Sequence, residues 1–521
     1  MVDGRAVLSE KPAIDRSFDI KDAKQLAAQE FHRVLRPING VAVLGLSDAD
    51  VIHRGPLPGA GEWTHFYANP ANTVCSNDIY VQGAMLVQWF GPPGPRDLID
   101  RHHRTVAPLS KNGRLFVPGN DRVYCVDAYN GTMLWELEAP GSKRVAAFRD
   151  SSYMAVSDDL LYLSANDACM AIDVRTGEVK HKMRLPTSSS DPVAEQPHEW
   201  AYTATVDDLV FGSAVKSGGL RRVQSREVAG TISYWDFVPL VGSDYLVTFD
   251  RHSGSQRWRY DASEGLIVNA TMTIADGTVY FVQSTNAETL KAERGQAKLN
   301  DLVGKGAQLV ALDMKTGDVR WKKAIELKVQ HNLFALAADG LLVVAGSRNT
   351  GQDRKSDKVL YDIHVFTCES GKPVWNTTQN QGTGIGGDHG EQDHHPVVVN
   401  RTLYAEPFAY DLRTGKRDTS FAWNHGHRRG CGNFSASATT FFFRNATACM
   451  FDIAGNKIEA VSAVSSPGCY INLIPAGGLL LAPEASSGCS CNFAVQTSQA
   501  FLPDKSGTTG AAPTKVEQQG R

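Results

Sequence analysis

The chain has 521 residues, of which 42% are hydrophobic, 21% are charged and 47 are glycine, and its formal net charge is −3. This is the composition of an ordinary globular, turn-rich protein. The sequence has no basic tract, so nucleic acid is not expected as a partner. Its apolar runs all fall short of the roughly 18 residues that a membrane span needs, so no span is expected.

The cellular compartment is predicted from the amino terminus and the cysteines. The first residues, MVDGRAVLSEKP, lack the apolar core of a secretory signal peptide. The chain has nine cysteines, an odd number, which favours a reducing compartment, and we expect a cytoplasmic protein. Cys431 and Cys469 hold equivalent places in adjacent repeats. A disulfide, a soft-metal pair and two buried thiols are open alternatives for them.

Residues 1–54 differ in pattern from the rest of the chain. Residues 22–35 have apolar side chains at helical spacing, Pro37 ends the helix, and residues 41–44 form a short apolar strand. The run EFHRVLRPINGVAVLGL is similar to a segment near the end of class I SAM-dependent methyltransferases, although this chain has Ile-Asn-Gly where that family has Gly-Gly. The resemblance implies a methyltransferase remnant that does not bind SAM alone. The alternative is a helix and a strand that pack against the rest of the chain.

A repeated hairpin pattern organises the remainder, and residues 309–321, LVALDMKTGDVRW, show it best. Asp313 can accept hydrogen bonds from the NH groups of its own turn. Gly317 supplies the positive φ that the turn needs, and Trp321 is an apolar plate on the returning strand. The pattern Asp-x-x-x-Gly-x-x-x-Trp returns roughly every 40 to 75 residues, the spacing of propeller blades with inserted loops. Complete copies begin at Asp127, Asp250 and Asp313, and incomplete copies at Asp173, Thr367, Asp411 and Asp452.

This repeat resembles the tryptophan-docking motif of the quinoprotein-type propellers, the PQQ-like repeat family. The resemblance implies an all-β fold in which residues 80–503 form an eight-bladed β-propeller, preceded by a short α/β remnant. The last unit, residues 468–503, has one strand too few, and a strand at residues 82–90 is expected to complete it and close the ring. The tryptophans expected to lie buried between blades are Trp135, Trp258, Trp321 and Trp375.

Two segments flank the predicted propeller. Residues 55–79 are predicted to be a linker and lead-in segment, in which Trp63 and Phe66 loosely match an aromatic pair that the family often carries before its first blade. Residues 504–521 are polar and rich in glycine, and they are predicted to be disordered.

Polar residues accumulate just before the first strand of each unit, where a propeller would gather them at one end of its channel. We select candidate catalytic residues and candidate metal ligands from these positions. The catalytic candidates are Arg101, His103, His331 and Arg429, and the metal candidates are Gln392, His394, His395 and His427. For any one of these histidines the alternative is a structural role, in which it caps a turn or bonds across two blades.

Three functions are open. A divalent metal (Mn, Zn or Fe) bound by imidazoles would suit a lyase that cleaves uronate polysaccharides, and the segment HGEQDHHP is loosely similar to the His/Gln cluster of propeller lyases. The family resemblance implies instead PQQ-dependent oxidation of a carbohydrate or polyol, although the vicinal disulfide of its alcohol dehydrogenases has no Cys-Cys counterpart here. The third function is that of a non-catalytic binding or scaffold propeller. The ligand expected of an enzyme is a small molecule or a carbohydrate.

Overall fold

The computed structural model describes most of the repeat region and a few short pieces of the residues before it. The described residues are 5–7, 35–38, 40–43, 51–99, 104–186, 197–222, 239–350, 358–384, 394–423, 432–462, 466–483 and 495–504. Their regular structure is almost entirely β-strand, and none of their helices is long and apolar enough to cross a membrane. The short helices lie at Ala147–Asp150, Asn269–Thr271, Ala287–Lys291 and Leu299–Leu302.

The first strands form a small sheet of their own. Strand β2 (Gly40–Val43) pairs in parallel with β1 (Arg5–Val7) and antiparallel with β3 (Val51–Arg54). Strand β2 is found where the sequence predicted one, whereas the helix predicted before it lies outside the described residues, except for its last residue. Next to this sheet, Arg36 forms an ion pair with Asp127 of the first repeat.

Eight antiparallel sheets follow in the described residues, numbered one to eight in chain order. Sheet one contains β5 (Leu109–Lys111), β6 (Arg114–Gly119), β7 (Arg122–Asp127) and β8 (Met133–Glu138). Sheet two contains β9 (Met154–Val156), β10 (Leu160–Ala165), β11 (Ala168–Asp173) and β12 (Val179–Arg184). Sheet three contains β13 (His198–Val206), β14 (Leu209–Lys216), β16 (Tyr245–Asp250) and β17 (Gln256–Asp261). Sheet four contains β15 (Leu240–Ser243), β18 (Ile267–Val268), β19 (Thr273–Ala275), β20 (Thr278–Ser284), β21 (Gln296–Ala297), β22 (Ala307–Asp313) and β23 (Val319–Ile325).

The other four sheets follow along the chain. Sheet five contains β24 (Leu333–Ala338), β25 (Leu341–Asn349), β26 (Lys358–Thr367) and β27 (Pro373–Gly384). Sheet six contains β28 (Val397–Val399), β29 (Thr402–Ala405) and β30 (Phe408–Asp411). Sheet seven contains β31 (Ser435–Ala436), β32 (Thr440–Asn445), β33 (Thr447–Asp452) and β34 (Lys457–Ser462). Sheet eight contains β35 (Ile474–Ala476), β36 (Leu479–Ala482), β37 (Ser498–Pro503) and β4 (Met85–Gly91).

Burial changes in one direction across these sheets. The inner strand is almost wholly buried, as in β9, β28 and β35. The outer strand is mostly exposed or half-buried, as in β12 and β34, and β12 shows the alternation most clearly. Because one face of an outer strand meets water, it keeps the two-residue alternation, whereas the first strand is apolar on both faces. Each sheet therefore has its first strand inside and its last strand outside, as propeller blades do.

The tryptophans of the repeat join neighbouring sheets. Each ring covers the glycine of the next sheet's turn, and its indole NH donates to the carbonyl of the residue three positions before that glycine. The pairs are Trp89 on Gly131, Trp135 on Gly177, Trp258 on Gly317, Trp321 on Gly371 and Trp375 on Gly415. Trp135 and Trp258 are buried as predicted, whereas Trp321 and Trp375 are only partly buried. The motif glycine thus meets two demands, a positive φ and room for an indole.

Sheet eight takes its outer strand from the other end of the repeat region. Strand β4 pairs antiparallel with β37, with Trp89 opposite Ala500 and Val87 opposite Phe501. This is the pairing predicted from the missing strand of the last unit. It also gives Trp89 its place against sheet one, a role that the sequence analysis did not assign to it.

Residues 61–78, called the strap below, run past the first strand of every sheet in chain order. Both ends of the strap meet sheet eight: the NH of Gly477 donates to the carbonyl of Gly61 at 2.8 Å, and the NH of Gly478 to the carboxylate of Asp78 at 2.8 Å. The residues that bond to the strap, from sheet one to sheet eight, are Ser110, Val156, Thr205, Ile274, Ala337, Val398, Ala436 and Gly478.

The strap lies at the end of the assembly where the first strands finish. Val156 is the last residue of β9, Ala337 is next to last in β24, and both donate their NH to a strap carbonyl. In the middle of the strap, the buried amide of Asn72 donates to the carbonyls of Met272 (2.7 Å) and Ala335 (3.1 Å). The segment predicted to be a linker is therefore an integral part of the core.

Candidate functional site

Aromatic side chains fill much of the space between the strap and the sheets. The ring of Tyr67 stacks on Phe66 with centroids 4.3 Å apart and on His395 at 4.0 Å. Its hydroxyl lies 3.0 Å from the hydroxyl of Tyr470, whose ring stacks on Phe148 at 4.9 Å. Stacked rings of this kind hold one another in fixed orientation. The strap therefore presents a flat aromatic surface to the interior.

His395, a predicted metal ligand, lies in this cluster and is 1% exposed. Its Nδ1 is 2.6 Å from the carbonyl oxygen of Pro396, and because a carbonyl only accepts, Nδ1 carries the proton. Burial lowers the pKa of His395 to about 3, so the ring is neutral at physiological pH. Its Nε2 is buried and has no hydrogen-bond partner among the described residues. His395 thus offers one unprotonated nitrogen to the interior.

His394 points to a different partner. Its Nδ1 lies 3.2 Å from a carboxylate oxygen of Glu406, and the other oxygen of Glu406 accepts from the indole of Trp423 at 3.0 Å. A histidine and a carboxylate make two of the three or four ligands that a transition metal needs. Within the described stretches of the chain no group of three or more His, Cys, Asp or Glu side chains is placed to bind a metal.

The described part of the chain contains three of the eight predicted site residues. His331, like His394 and His395, is buried, and its Nε2 lies 2.5 Å from the amide oxygen of Asn349 in the next strand of its own sheet. The rings of His394 and His395 have different partners, so neighbouring positions do not produce a shared site. The candidates Arg101, His103, Gln392, His427 and Arg429 lie outside the described residues.

The interior contains a small cavity against the strap. The volume that the centre of a water molecule can occupy is about 20 Å³, which is enough for one water. Phe66 and Tyr67 of the strap form one wall, and Phe148 another. Polar groups of sheets two, three and four line the rest, among them Ser151, Thr203 and Asn269. Asn269 lies directly after the short strand β18.

A buried charged cluster lies beside sheets two and three. Asp150 is 1% exposed and forms an ion pair with Arg221, and burial raises the pKa of its carboxyl. Arg222 forms a second pair with Glu199 at 2.8 Å. Arg144 is 1% exposed, and burial lowers its pKa to about 10. Asp150 precedes β9 and Glu199 lies in β13, both first strands, whereas the arginines come from loops whose sequence shows no repeat.

The three alternatives for Cys431 and Cys469 stay open, because Cys431 lies outside the described residues. Cys469 is buried, and its sulfur accepts from Arg444 at 3.7 Å. Cys75, Cys125 and Cys169 are buried free thiols, and burial raises the pKa of each, that of Cys75 to about 12. These three thiols stay protonated and inert at neutral pH.

Comparison with known families agrees with the repeat. A PQQ-like family model, described as outer membrane protein assembly factor BamB, matches residues 87–227 and 300–462, which is more than half of the chain. The chain belongs to the PQQ-like repeat family. The match begins within β4 and ends with β34. It contains every residue of the tryptophan–glycine pairs except Trp258, which lies between the two matched segments. A search of curated proteins gave no match.

Several solved structures are similar to this PQQ-like repeat protein. The quinohemoprotein alcohol dehydrogenase from Comamonas testosteroni has a TM-score of 0.50 and 14% identity, over 88% of this chain and 83% of that one. A europium-containing methanol dehydrogenase has a TM-score of 0.41 and 13% identity, over 81% of this chain and 82% of that one. BamB from Moraxella catarrhalis has a TM-score of 0.33 and 12% identity, over 77% and 82%. At 14% identity the quinohemoprotein alcohol dehydrogenase shows the fold alone.

Proposed function

We propose that this chain is an eight-bladed propeller that binds a small polyol or carbohydrate in its central space. The ligand lies on the inner side of the strap, which faces the first residues of the first strands. The observation that carries the proposal is the lining of the cavity above the strap. It combines aromatic rings with neutral hydrogen-bonding groups, among them Ser151, Thr203 and Asn269. Aromatic walls and a few placed polar groups are what a neutral, hydroxyl-rich ligand requires.

Ring closure is part of this proposal. The contacts of the strap with eight successive sheets, and the contact of Trp89 with Gly131, support a closed ring of eight blades. In such a ring the strap covers one end of the channel, so a ligand enters from the other. The predicted residues Arg101, His103, Gln392, His427 and Arg429 all precede first strands and are proposed to surround that open end.

The histidine that the interior offers to a ligand, His395, is neutral. His395 holds an unprotonated nitrogen at physiological pH, the state that a hydrogen-bond acceptor or a general base requires. The Tyr67 ring fixes its orientation by stacking. The aromatic surface leaves room for only one water at the bottom of the space, and the low local dielectric strengthens the hydrogen bonds made there. Oxidation of the bound alcohol is the reaction class that we propose to test first, because the PQQ-like family resemblance favours it.

The family name also implies PQQ, a flat tricyclic quinone with three carboxylates. The cavity admits one water, and its lining has no lysine or arginine to bind a carboxylate. The lining of this cavity therefore does not fit the quinone, and we assign no step to it. For a metal, the described residues supply the pair His394 and Glu406, and a third ligand would have to come from Gln392 or His427.

The N-terminal stretch is a separate proposal. Residues 1–54 are proposed to be the remnant of a methyltransferase domain, on the resemblance of one segment alone. The ion pair between Arg36 and Asp127 supports the alternative that this stretch now serves to pack against sheet one.

Ligand titration of the purified protein tests the proposed function. Glycerol, D-glucose and D-glucuronate are titrated by calorimetry, metal content is measured, and a dye-linked assay follows oxidation with and without added PQQ. We expect a neutral polyol or sugar to bind, and His395→Phe, which keeps the stacked ring but removes Nε2, to weaken binding about tenfold. His252→Phe, on an exposed loop, is the control. Binding of glucuronate alone, with a bound metal, would support the lyase, and no binding at all would support a scaffold.

A further inference from the structure

Three of the residues that line the cavity against the strap each have a buried polar atom with no hydrogen-bond partner within the described residues. They are the hydroxyl oxygens of Ser151 and Thr203 and the amide nitrogen of Asn269. The three residues are 5%, 0% and 2% exposed. Buried polar groups are rarely left unpaired, because their lost hydration is not compensated. Three such atoms around one cavity indicate a missing partner located in that cavity.

The hydrogen bonds of Asn269 determine which end of its amide faces the cavity. Its Oδ1 lies 2.7 Å from the hydroxyl of Ser243 and 3.2 Å from that of Ser213, both of which can donate to it. The amide oxygen is thus engaged, and the NH₂ group is the free end. The cavity therefore has one group that only donates, Asn269, and two hydroxyls, Ser151 and Thr203, that donate or accept.

The remaining lining makes a charged occupant unfavourable. The walls are formed mainly by Phe66, Phe148, Tyr202 and Met272, and His65 is neutral because burial lowers its pKa to about 3. The Nε2 of His65 is also engaged, since it accepts from the NH of Thr205 at 3.2 Å. An ion would lose its hydration there without gaining a counter-charge. A neutral oxygen with two lone pairs matches both the polar groups and the available volume.

We propose that Ser151, Thr203 and Asn269 form a binding niche for one neutral oxygen function, the hydroxyl or carbonyl group of the ligand, and that one water molecule fills this niche when the ligand is absent. The proposal rests on the proposed function for the identity of the ligand. It adds the position in the fold at which one oxygen of that ligand is recognised. The rest of the ligand lies towards the beginnings of the first strands.

The first arm of the test is a high-resolution crystal structure of the ligand-free protein. We expect one ordered oxygen within about 2.7–3.2 Å of Ser151 Oγ, Thr203 Oγ1 and Asn269 Nδ2. An empty niche, or an ion in it, would overturn the proposal. This arm does not depend on the identity of the ligand.

The second arm is calorimetric titration of glycerol and D-glucose into variants. Thr203→Val removes the hydroxyl at nearly constant shape and should raise Kd about tenfold, and Ser151→Ala should do the same if the first variant does not fold. Thr248→Val is the matched control, because Thr248 is equally buried, its hydroxyl also has no partner among the described residues, and it does not line the cavity. Unchanged Kd values in Thr203→Val and Ser151→Ala would overturn the niche and leave the proposed function intact. A wild type that binds neither probe would overturn the proposed function and the ligand half of the niche together.

Discussion

The indole of Trp89, on the strand that completes sheet eight, lies against Gly131 of sheet one. Its NH donates to the carbonyl of Ala128 at 2.8 Å, and a Cβ on Gly131 would come within 2.6 Å of the ring. The same relationship joins Trp135 to the next sheet along the chain. Trp89 therefore joins sheet eight, which β4 completes, to sheet one.

Removal of this contact should destabilise the whole domain. We expect Trp89→Ala to lower the free energy of unfolding by about 3–5 kcal/mol, from lost burial and the cavity left behind. Urea denaturation followed by circular dichroism measures it. Phe90→Ala is the matched control on the same strand, since Phe90 is 73% exposed and should change stability by less than about 0.5 kcal/mol. Equal effects of the two substitutions would contradict the role of Trp89.

A glycine of the motif that an indole covers should resist alanine more strongly than a positive-φ glycine outside the motif. Gly317 and Gly340 both have positive φ, 77° and 74°, but a Cβ at Gly317 would lie 2.6 Å from the Trp258 ring, whereas a Cβ at Gly340 meets nothing within 4 Å. Gly340→Ala should therefore cost about 1–2 kcal/mol, the cost of the left-handed conformation alone. Gly317→Ala should cost clearly more in the same urea experiment. Similar costs would show that the backbone, and not the ring, selects glycine.

The strap should depend on its central amide. Asn72→Ala removes a side chain that donates to Met272, Thr273 and Ala335, and it leaves buried acceptors unpaired at a cost of about 1–3 kcal/mol. We also expect faster proteolysis within residues 61–78, because the strap would detach locally before the sheets unfold. Asn112→Ala, at an exposed bond to Asp158, is the control. Unchanged proteolysis would mean that the other strap contacts suffice.

Acid should weaken the attachment of the strap through His65. Burial lowers the pKa of His65 from the ordinary 6.5 to about 3. The unfolded chain therefore binds a proton that the folded chain excludes, and stability is lost as pH falls from about 6.5 towards 3. His65→Gln should flatten this part of the stability–pH curve, measured by urea unfolding at a series of pH values. His252→Gln, at an exposed histidine, should leave the slope unchanged, and a His65→Gln curve parallel to wild type would contradict the assignment.

The sequence predicted the features that depend on local pattern. The turn at Asp313 does accept from the NH groups of Lys315 and Thr316, and the missing strand of the last unit was found at β4. The strap was not predicted, because its contacts join residues far apart in the chain, such as His65 with Thr205, and no repeat marks them. The sequence did contain one signal for the contact between sheet eight and sheet one, which is the tryptophan at position 89 on a predicted outer strand.

The candidate site was predicted less well, for a related reason. A position before a first strand goes with burial of His395 and Asn269, and their role in a site stays a prediction. This position did not determine where each side chain points, and His331 and His394 bond instead to Asn349 and Glu406. Side-chain direction depends on packing between blades, which a single blade's sequence does not encode.

A crystal structure of the protein with bound glycerol or D-glucose tests the central claim most directly. The account predicts ligand density on the interior side of the strap, with one ligand oxygen within hydrogen-bond distance of Asn269 Nδ2 and Thr203 Oγ1, and the ligand body extending towards His395. Ligand density on the outer side of the strap, against Thr73 and Arg401, with the interior unchanged, would contradict it.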